Sequence, residues 1–385
     1  MTTALKGPFL RERFPIFERW NYLCSHSLGA VPRATEDSLQ TYYRQWAELG
    51  IAAWDGPWWA AVEEFGALIA RVLGAEPNSV VPMQNVTRAM AGVASCFDYR
   101  ERPKIVLTGL EFTTTFPLWR HQEELGAELV IVPSEDGTHV DTGALCAAID
   151  EKTQLVLTSH AYFRSGALQD IKAVTQAAHA HGALVMVDGY QAAGAVPVDA
   201  REIGFDFYVG GCHKWLCGGP GAGYLYVRPD LIANLRPRLT GWFGLAEPFA
   251  YTPDTGTGAP HPGIHRFLGG TPNVPALYAA MEGVRTVLEV GIDSIREYSK
   301  LMTQEIVAQA LKRDLCVRSP HDPDRRNGMV CLDFPQAQRL CKEMQMEGIL
   351  TDWRPDCGLR ISPHFYNSGE DIEGFFSTLD RLIKS

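Results

Sequence analysis

Six short runs, almost wholly apolar, recur through the middle of the chain: "KIVLTG" from 104, "LVIVPS" from 129, "QLVLTSH" from 154, "ALVMVDG" from 183, "FYVGG" from 207 and "GYLYV" from 223. A strand covered on one face alternates apolar with polar residues. These do not alternate, so both of their faces are expected to be covered. Most of the starts lie about 24 to 29 residues apart, room for a strand, a helix and two turns. "IKAVTQAAHAHG" (171–182) illustrates the intervening helix, an amphipathic run closed by a glycine cap. The spacing predicts βαβ units and an α/β fold with a mostly parallel sheet. The last interval is too short for a helical crossover, so "FYVGG" and "GYLYV" should pair antiparallel. Lys214 then lies in a tight connection at one end of the sheet.

With 385 residues the chain is long enough for more than one core. A large domain is expected over 46–272. After Pro272 the pattern changes to long helices with a break near Gly291, then shorter strand candidates, "GMVCLDF" and "GLRISP", around the helix "PQAQRLCKEMQMEG". Residues 273–385 read as a smaller α+β domain, which the first 45 residues are expected to join. The Gly- and Pro-rich segment "TGWFGLAEPFAYTPDTGTGAPHPGIHRFLGGTPN" is long for a connection inside a compact protein, and its aromatics favour a functional role.

An excess of 45 Asp plus Glu over 35 Lys plus Arg argues against a nucleic-acid-binding surface. Nine cysteines without CxxC spacing signal neither a disulfide framework nor a zinc site. Reduced thiols and a cytoplasmic location are the expectation. The N-terminal stretch has charges and no apolar core, unlike a signal peptide. No run approaches the ~18 apolar residues of a membrane helix.

Asp188 ends an apolar strand, where ligands of open α/β sheets gather; a carboxylate there needs a hydrogen-bond donor or a cation, so it is either a ligand partner or the N-cap of the following "YQAAGA" segment. Lys214 follows the next strand among Cys212, Trp215, Leu216 and Cys217. An apolar site there lowers the pKa of an amine that must attack a carbonyl. "QNVTRAMAG" (84–92) offers backbone amides and the Thr87 hydroxyl at a helix start, an anion site or an ordinary cap. Phe112 is either a flat stacking surface or core. Gly269–Thr271 is either a phosphate-holding turn or a plain one. Arg360 stands within an apolar strand and requires a carboxylate partner, from the protein or from a substrate. A strand-end acid, a lysine one strand later, a phosphate-type turn, an aromatic plate and a buried arginine together suit pyridoxal 5'-phosphate held on Lys214 as a Schiff base.

"VDGYQAAGAVPVD" followed by "GGCHKWLCGGPGAGYLYV" resembles the pyridoxal-phosphate enzymes of the class V aminotransferase superfamily, with the type I fold. "YLCSHSLGAVP", "SHAYFRSGALQDI" and "TDWRPDCGLRISPHFYNSGEDIEGF" are similar to kynureninases and their close relatives. The resemblance implies that Lys214 bonds the cofactor and moves the Cα proton, that Asp188 pairs with the pyridine nitrogen, and that Gln191 bonds the ring's phenolic oxygen. It implies stacking by Phe112, a cofactor contact at Thr115, phosphate contacts from Val86, Thr87 and His213, and a homodimer in which Gly270 and Thr271 reach the neighbour's phosphate. Arg360 is implied to clamp the substrate carboxylate, with Ser27, Trp58 and Trp242 at the substrate pocket.

Three positions depart from the kynureninase pattern. His213 stands where those enzymes usually have tyrosine, Gln191 where they have histidine, and Thr115 where an aspartate follows the stacking Phe112. The leading expectation is hydrolytic Cβ–Cγ cleavage of L-kynurenine or 3-hydroxykynurenine to an anthranilate and L-alanine. Transamination, C–S lysis or epimerisation of another amino acid is the alternative within the superfamily. A non-catalytic regulator is expected to carry a basic DNA-binding module, and none is read here.

Overall fold

The computed structural model describes residues 7–251 and 258–384; residues 252–257 of the Gly- and Pro-rich segment lie outside them. Its strands are β1 (Asn21–Tyr22), β2 (Val80–Met83), β3 (Lys104–Thr108), β4 (Glu128–Val132), β5 (Thr153–Ser159), β6 (Leu184–Asp188), β7 (Phe207–Gly211), β8 (Gly223–Val227), β9 (Cys316–Val317), β10 (Val330–Asp333), β11 (Ile349–Leu350), β12 (Asp352–Arg354) and β13 (Gly358–Ile361).

All six apolar runs become strands of one seven-stranded sheet, ordered β2-β8-β7-β6-β5-β3-β4. β3 to β7 pair in parallel, and β8 runs antiparallel to β7, as the short interval requires. The seventh strand, β2, lacks an apolar run of that length and contains Pro82. Proline cannot donate to a ladder and keeps to sheet edges, and β2 is the edge strand paired antiparallel with β8.

The unalternating composition has the expected cause. Val185 and Val187 belong to the core on one face of the sheet with Val156 and Tyr208, whereas Met186 joins Leu155, Leu157 and Val209 on the other. Each such side chain contributes roughly 1.5–3 kcal/mol by leaving water, so both faces must be covered. The helix Ile171–Ala180 covers one of them through Ile171, Val174 and Ala178, with the Asp170 side chain accepting from Ala173 N–H at its start.

A second sheet, β12-β13-β10-β9, packs with the helices Ile292–Leu311, Ala337–Met346 and Gly369–Lys384 around its own core. β1 pairs in parallel with β11, and the helix Ala34–Leu49 lies against Val274–Val290.

The strand order reverses around β3, which has β4 on one side and β5, β6 and β7 on the other. Such reversals open a crevice at the carboxyl ends of the strands. Register brings Ser159 opposite Asp188, and Asp188 opposite Val209, at this end of the sheet. The β7–β8 connection then carries Lys214. Gly218 N–H donates to Cys212 O at 2.9 Å and Cys217 N–H to Lys214 O at 3.0 Å, with Cys217 itself at φ 55°. Gly29 N–H donates to His213 O at 2.8 Å from one side. From the other, helix Val274–Val290 approaches so closely that a Cβ on Gly283 would lie 2.4 Å from the Cys217 carbonyl.

Because that obstacle is backbone, Gly283→Ala is expected to lower stability by roughly 1–3 kcal/mol through overpacking. Urea unfolding measures it; an unchanged midpoint would show that the lysine turn is not held by this contact.

Candidate active site

Lys214 points into a cavity of about 200 Å³ lined by Val86, Phe112, Ser159, Asp188, Tyr190 and His213, among others. Its Nζ lies 5.6 Å from the centre of the Phe112 ring and 4.5 Å from that of Tyr190. Burial lowers the amine to a pKa of about 8; Asp188 opposes the shift and Arg360 adds to it. A fraction of the amine is therefore unprotonated at neutral pH, as a nucleophile or base requires.

Asp188 is buried at the end of β6, and burial raises its carboxyl to about 6 against the Tyr190 N–H, which donates to Oδ1 at 2.9 Å. That bond is the cap-like contact allowed by the sequence, although turns rather than a helix follow it. A cation within reach of this carboxylate would be strongly held. Behind it lies Glu111, a buried acid raised to about 7 by desolvation against its hydrogen bonds. It accepts from Thr108 Oγ1, from Ser159 N–H at 2.8 Å and from Ser159 Oγ at 2.7 Å, which fixes Ser159 on the cavity wall.

At the other end of the cavity stands the N-terminus of helix Val86–Ala94. Asn85 caps it by accepting Arg88 N–H at 3.0 Å, leaving earlier amides for an anion. The Thr87 hydroxyl meets that of Thr114 at 2.7 Å. Phe112, 43% exposed, presents an open ring and meets Phe163 edge-on at 5.2 Å.

Gln191 also lines the cavity, but its side chain is already engaged: Nε2 donates to His26 O at 3.1 Å and Oε1 accepts Trp215 Nε1–H at 3.0 Å. Its second N–H is the donor left for a ligand.

Arg360 has its carboxylate partner within the protein. The β12–β13 register sets it directly across from Asp352, and Nε and Nη2 bond the two carboxylate oxygens at 2.8 and 2.5 Å. Nη1 donates to Phe163 O at 3.1 Å. Burial would raise Asp352, but bonds from His26 and Arg360 outweigh it and hold the carboxyl far below its usual range. His26 is driven down to about 4 by burial and the Arg360 charge, so its neutral ring donates Nε2–H to Asp352 at 2.8 Å.

Several expected residues lie outside this cavity. Thr115 is fully buried at the start of helix Thr115–Arg120, with its hydroxyl 4.0 Å from Met90 Sδ; helix formation turns it into the core. Trp58 is core as well, stacked on Tyr42 at 5.4 Å and edge-on to Trp54 at 5.1 Å. Trp242 packs on Phe243 at 3.9 Å, near Phe249 and Tyr251. Ser27 sits in the turn before Gly29, with its N–H on Cys24 O. Gly270 and Thr271 line a separate cavity of about 250 Å³ with Arg88 and Asn273. Conversely, Tyr190, Asp352, His26 and Glu111 were not singled out from the sequence. Tyr190 stands two residues after the strand-end acid, and Asp352 eight before the arginine, a spacing that a hairpin converts into contact.

The family described as aminotransferase class-V matches residues 21–375. The chain belongs to the class V aminotransferases. It is 29% identical to the uncharacterized aminotransferase YcbU of Bacillus subtilis (strain 168), with 94% of each chain covered. It is 28% identical to the kynureninase of Geobacillus thermodenitrificans (strain NG80-2), over 97% of this chain and 91% of the relative. In fold it is similar to the apo cysteine desulfurase of Thermococcus onnurineus NA1, with TM-score 0.86, 20% identity and 97% of each chain covered. The class V type I fold accounts for the parallel sheet and the smaller second sheet. Pyridoxal phosphate is the cofactor of this family. The cavity fits it, with a lysine amine, a buried acid suited to a pyridine N–H, an open ring face and a helix N-terminus for the phosphate.

The Lys214 shift carries a pH signature. Capture of pyridoxal phosphate by the apoenzyme, followed as the visible absorption of the lysine-bound cofactor, should speed up as pH rises towards about 8 and level off above it. A rate still climbing at pH 10 would mean an amine of ordinary basicity.

Proposed function

We propose that the chain is a pyridoxal-phosphate-dependent hydrolase that cleaves the Cβ–Cγ bond of L-kynurenine or 3-hydroxykynurenine, giving an anthranilate and L-alanine. The observation that carries the amino-acid part of this reading is the Arg360 fork. Arginine has five N–H donors; Asp352 and Phe163 use Nε and one N–H on each terminal nitrogen. One N–H on each of Nη1 and Nη2 is left to receive a carboxylate; Arg360 stands behind the cavity lining formed by Phe163, close enough for its charge to act on the Lys214 amine. The relatives named kynureninase support the choice of substrate.

When bound, the cofactor supplies an electron sink for negative charge at the substrate Cα. Arg360, kept in place by Asp352, orients the α-carboxylate, and His26 keeps Asp352 from turning away. Lys214, near a pKa of 8, takes and returns the Cα proton. Phe112 and Phe163 give the cavity apolar walls, and one water must reach the side-chain ketone. Gly270 and Thr271 are assigned to the face met by a second copy, in a cytoplasmic homodimer.

One observation favours a different class V reaction on an amino acid: His213 precedes the lysine. A desulfurase-type mechanism needs a reactive thiolate, yet burial pushes the Cys24 thiol up to about 12 and raises that of Cys357 as well.

Purified holoenzyme given L-kynurenine should release anthranilate, read by its fluorescence, with one equivalent of alanine. No anthranilate at high enzyme concentration, together with sulfide from cysteine or cystine, would move the chain to C–S lysis.

A further inference from the structure

Tyr190 touches three of the groups on which the site depends. Its backbone N–H donates to Asp188 Oδ1 at 2.9 Å, its ring centre lies 4.5 Å from Lys214 Nζ, and its hydroxyl is 2.8 Å from His213 Nδ1. The phenol reaches His213 only because β7 ends in glycine. A Cβ on Gly211 would stand 2.3 Å from the Tyr190 hydroxyl. Gly211 has no positive φ that would demand glycine, so the space it leaves is the feature that calls for explanation.

The protonation states follow from the surroundings. Burial, then the Lys214 charge, lowers His213 to about 4, so its ring is neutral. Burial raises the Tyr190 phenol, which keeps its proton. Of the two neutral partners the phenol is the more acidic donor, so the pairing is assigned with its O–H donating to Nδ1, which places the ring's one proton on Nε2.

We infer that Tyr190 is a positioning residue for cofactor binding, holding His213 as an Nε2–H donor to the phosphate in a space that Gly211 leaves open. This rests on the cofactor and not on kynurenine cleavage. It links two positions that stand far apart in sequence, at the ends of β6 and β7.

The test compares pyridoxal phosphate with pyridoxal, which lacks the phosphate, as ligands of full-length apoenzyme titrated by visible absorbance. Tyr190→Phe should weaken pyridoxal phosphate roughly tenfold, the scale of one hydrogen bond to a charged group, and leave pyridoxal unchanged. In the His213→Gln background the same substitution should cost little more, since the two act as one unit. Tyr190→Ala combined with Gly211→Ser, which puts a hydroxyl into the vacated space, should recover most of the loss seen with Tyr190→Ala alone. Equal weakening of both ligands, or full additivity with His213→Gln, would reduce Tyr190 to a packing residue and overturn the inference. A wild-type protein that gives no visible band with pyridoxal phosphate would overturn the cofactor reading and this inference with it, whatever the fate of kynurenine.

Discussion

The amine of Lys214 is unusual for being placed where water is scarce. Burial is the largest cause of its lowered pKa, ahead of any neighbouring charge. A lysine made reactive by desolvation depends on everything that keeps its surroundings packed. Here those are the turn 212–218, the Gly29 N–H on His213 O, and the helix that comes within backbone contact of Cys217 at Gly283. The sheet supplies the opposing group: β6 and β7 run parallel in a register that delivers Asp188 and then Lys214 to the same carboxyl end.

The second organising element is the ion pair between Arg360 and Asp352. Both are well removed from water, and a buried guanidinium without a partner is costly, typically by about 3–5 kcal/mol when a pair is broken. Asp352 neutralises it and His26 completes the arrangement, so the arginine is held in one orientation. If Arg360 takes the substrate carboxylate as proposed, that pre-set orientation removes part of the entropy cost of binding. His26 lies in the same N-terminal turn as Ser27. It is the histidine of this turn that bonds Asp352.

Much of the fold was legible because strands buried on both faces show as runs without alternation, and the one short interval announced an antiparallel pair. The strand with Pro82 escaped because it is four residues long and a proline interrupts its apolar run, whereas β4, the other edge strand, carries an unbroken one. Lys214, Asp188, Phe112, Val86 and His213 were legible as strand ends and a helix start, which topology brings together. Trp58 and Thr115 show the converse. An aromatic or a hydroxyl near a motif reads as functional, but helix phase decides which way it faces, and here both face the core. The Tyr190–His213 and Asp352–Arg360 contacts depend on side-chain reach and on exact strand register. Neither is encoded in local pattern.

The central claim is that Lys214 is the residue that bonds the cofactor. Reduction of the holoenzyme with borohydride, then proteolysis and mass spectrometry, addresses it directly. The pyridoxyl mass is predicted on the peptide containing Lys214 alone. Labelling of another lysine such as Lys104 or Lys172, with Lys214 unmodified, would contradict the account.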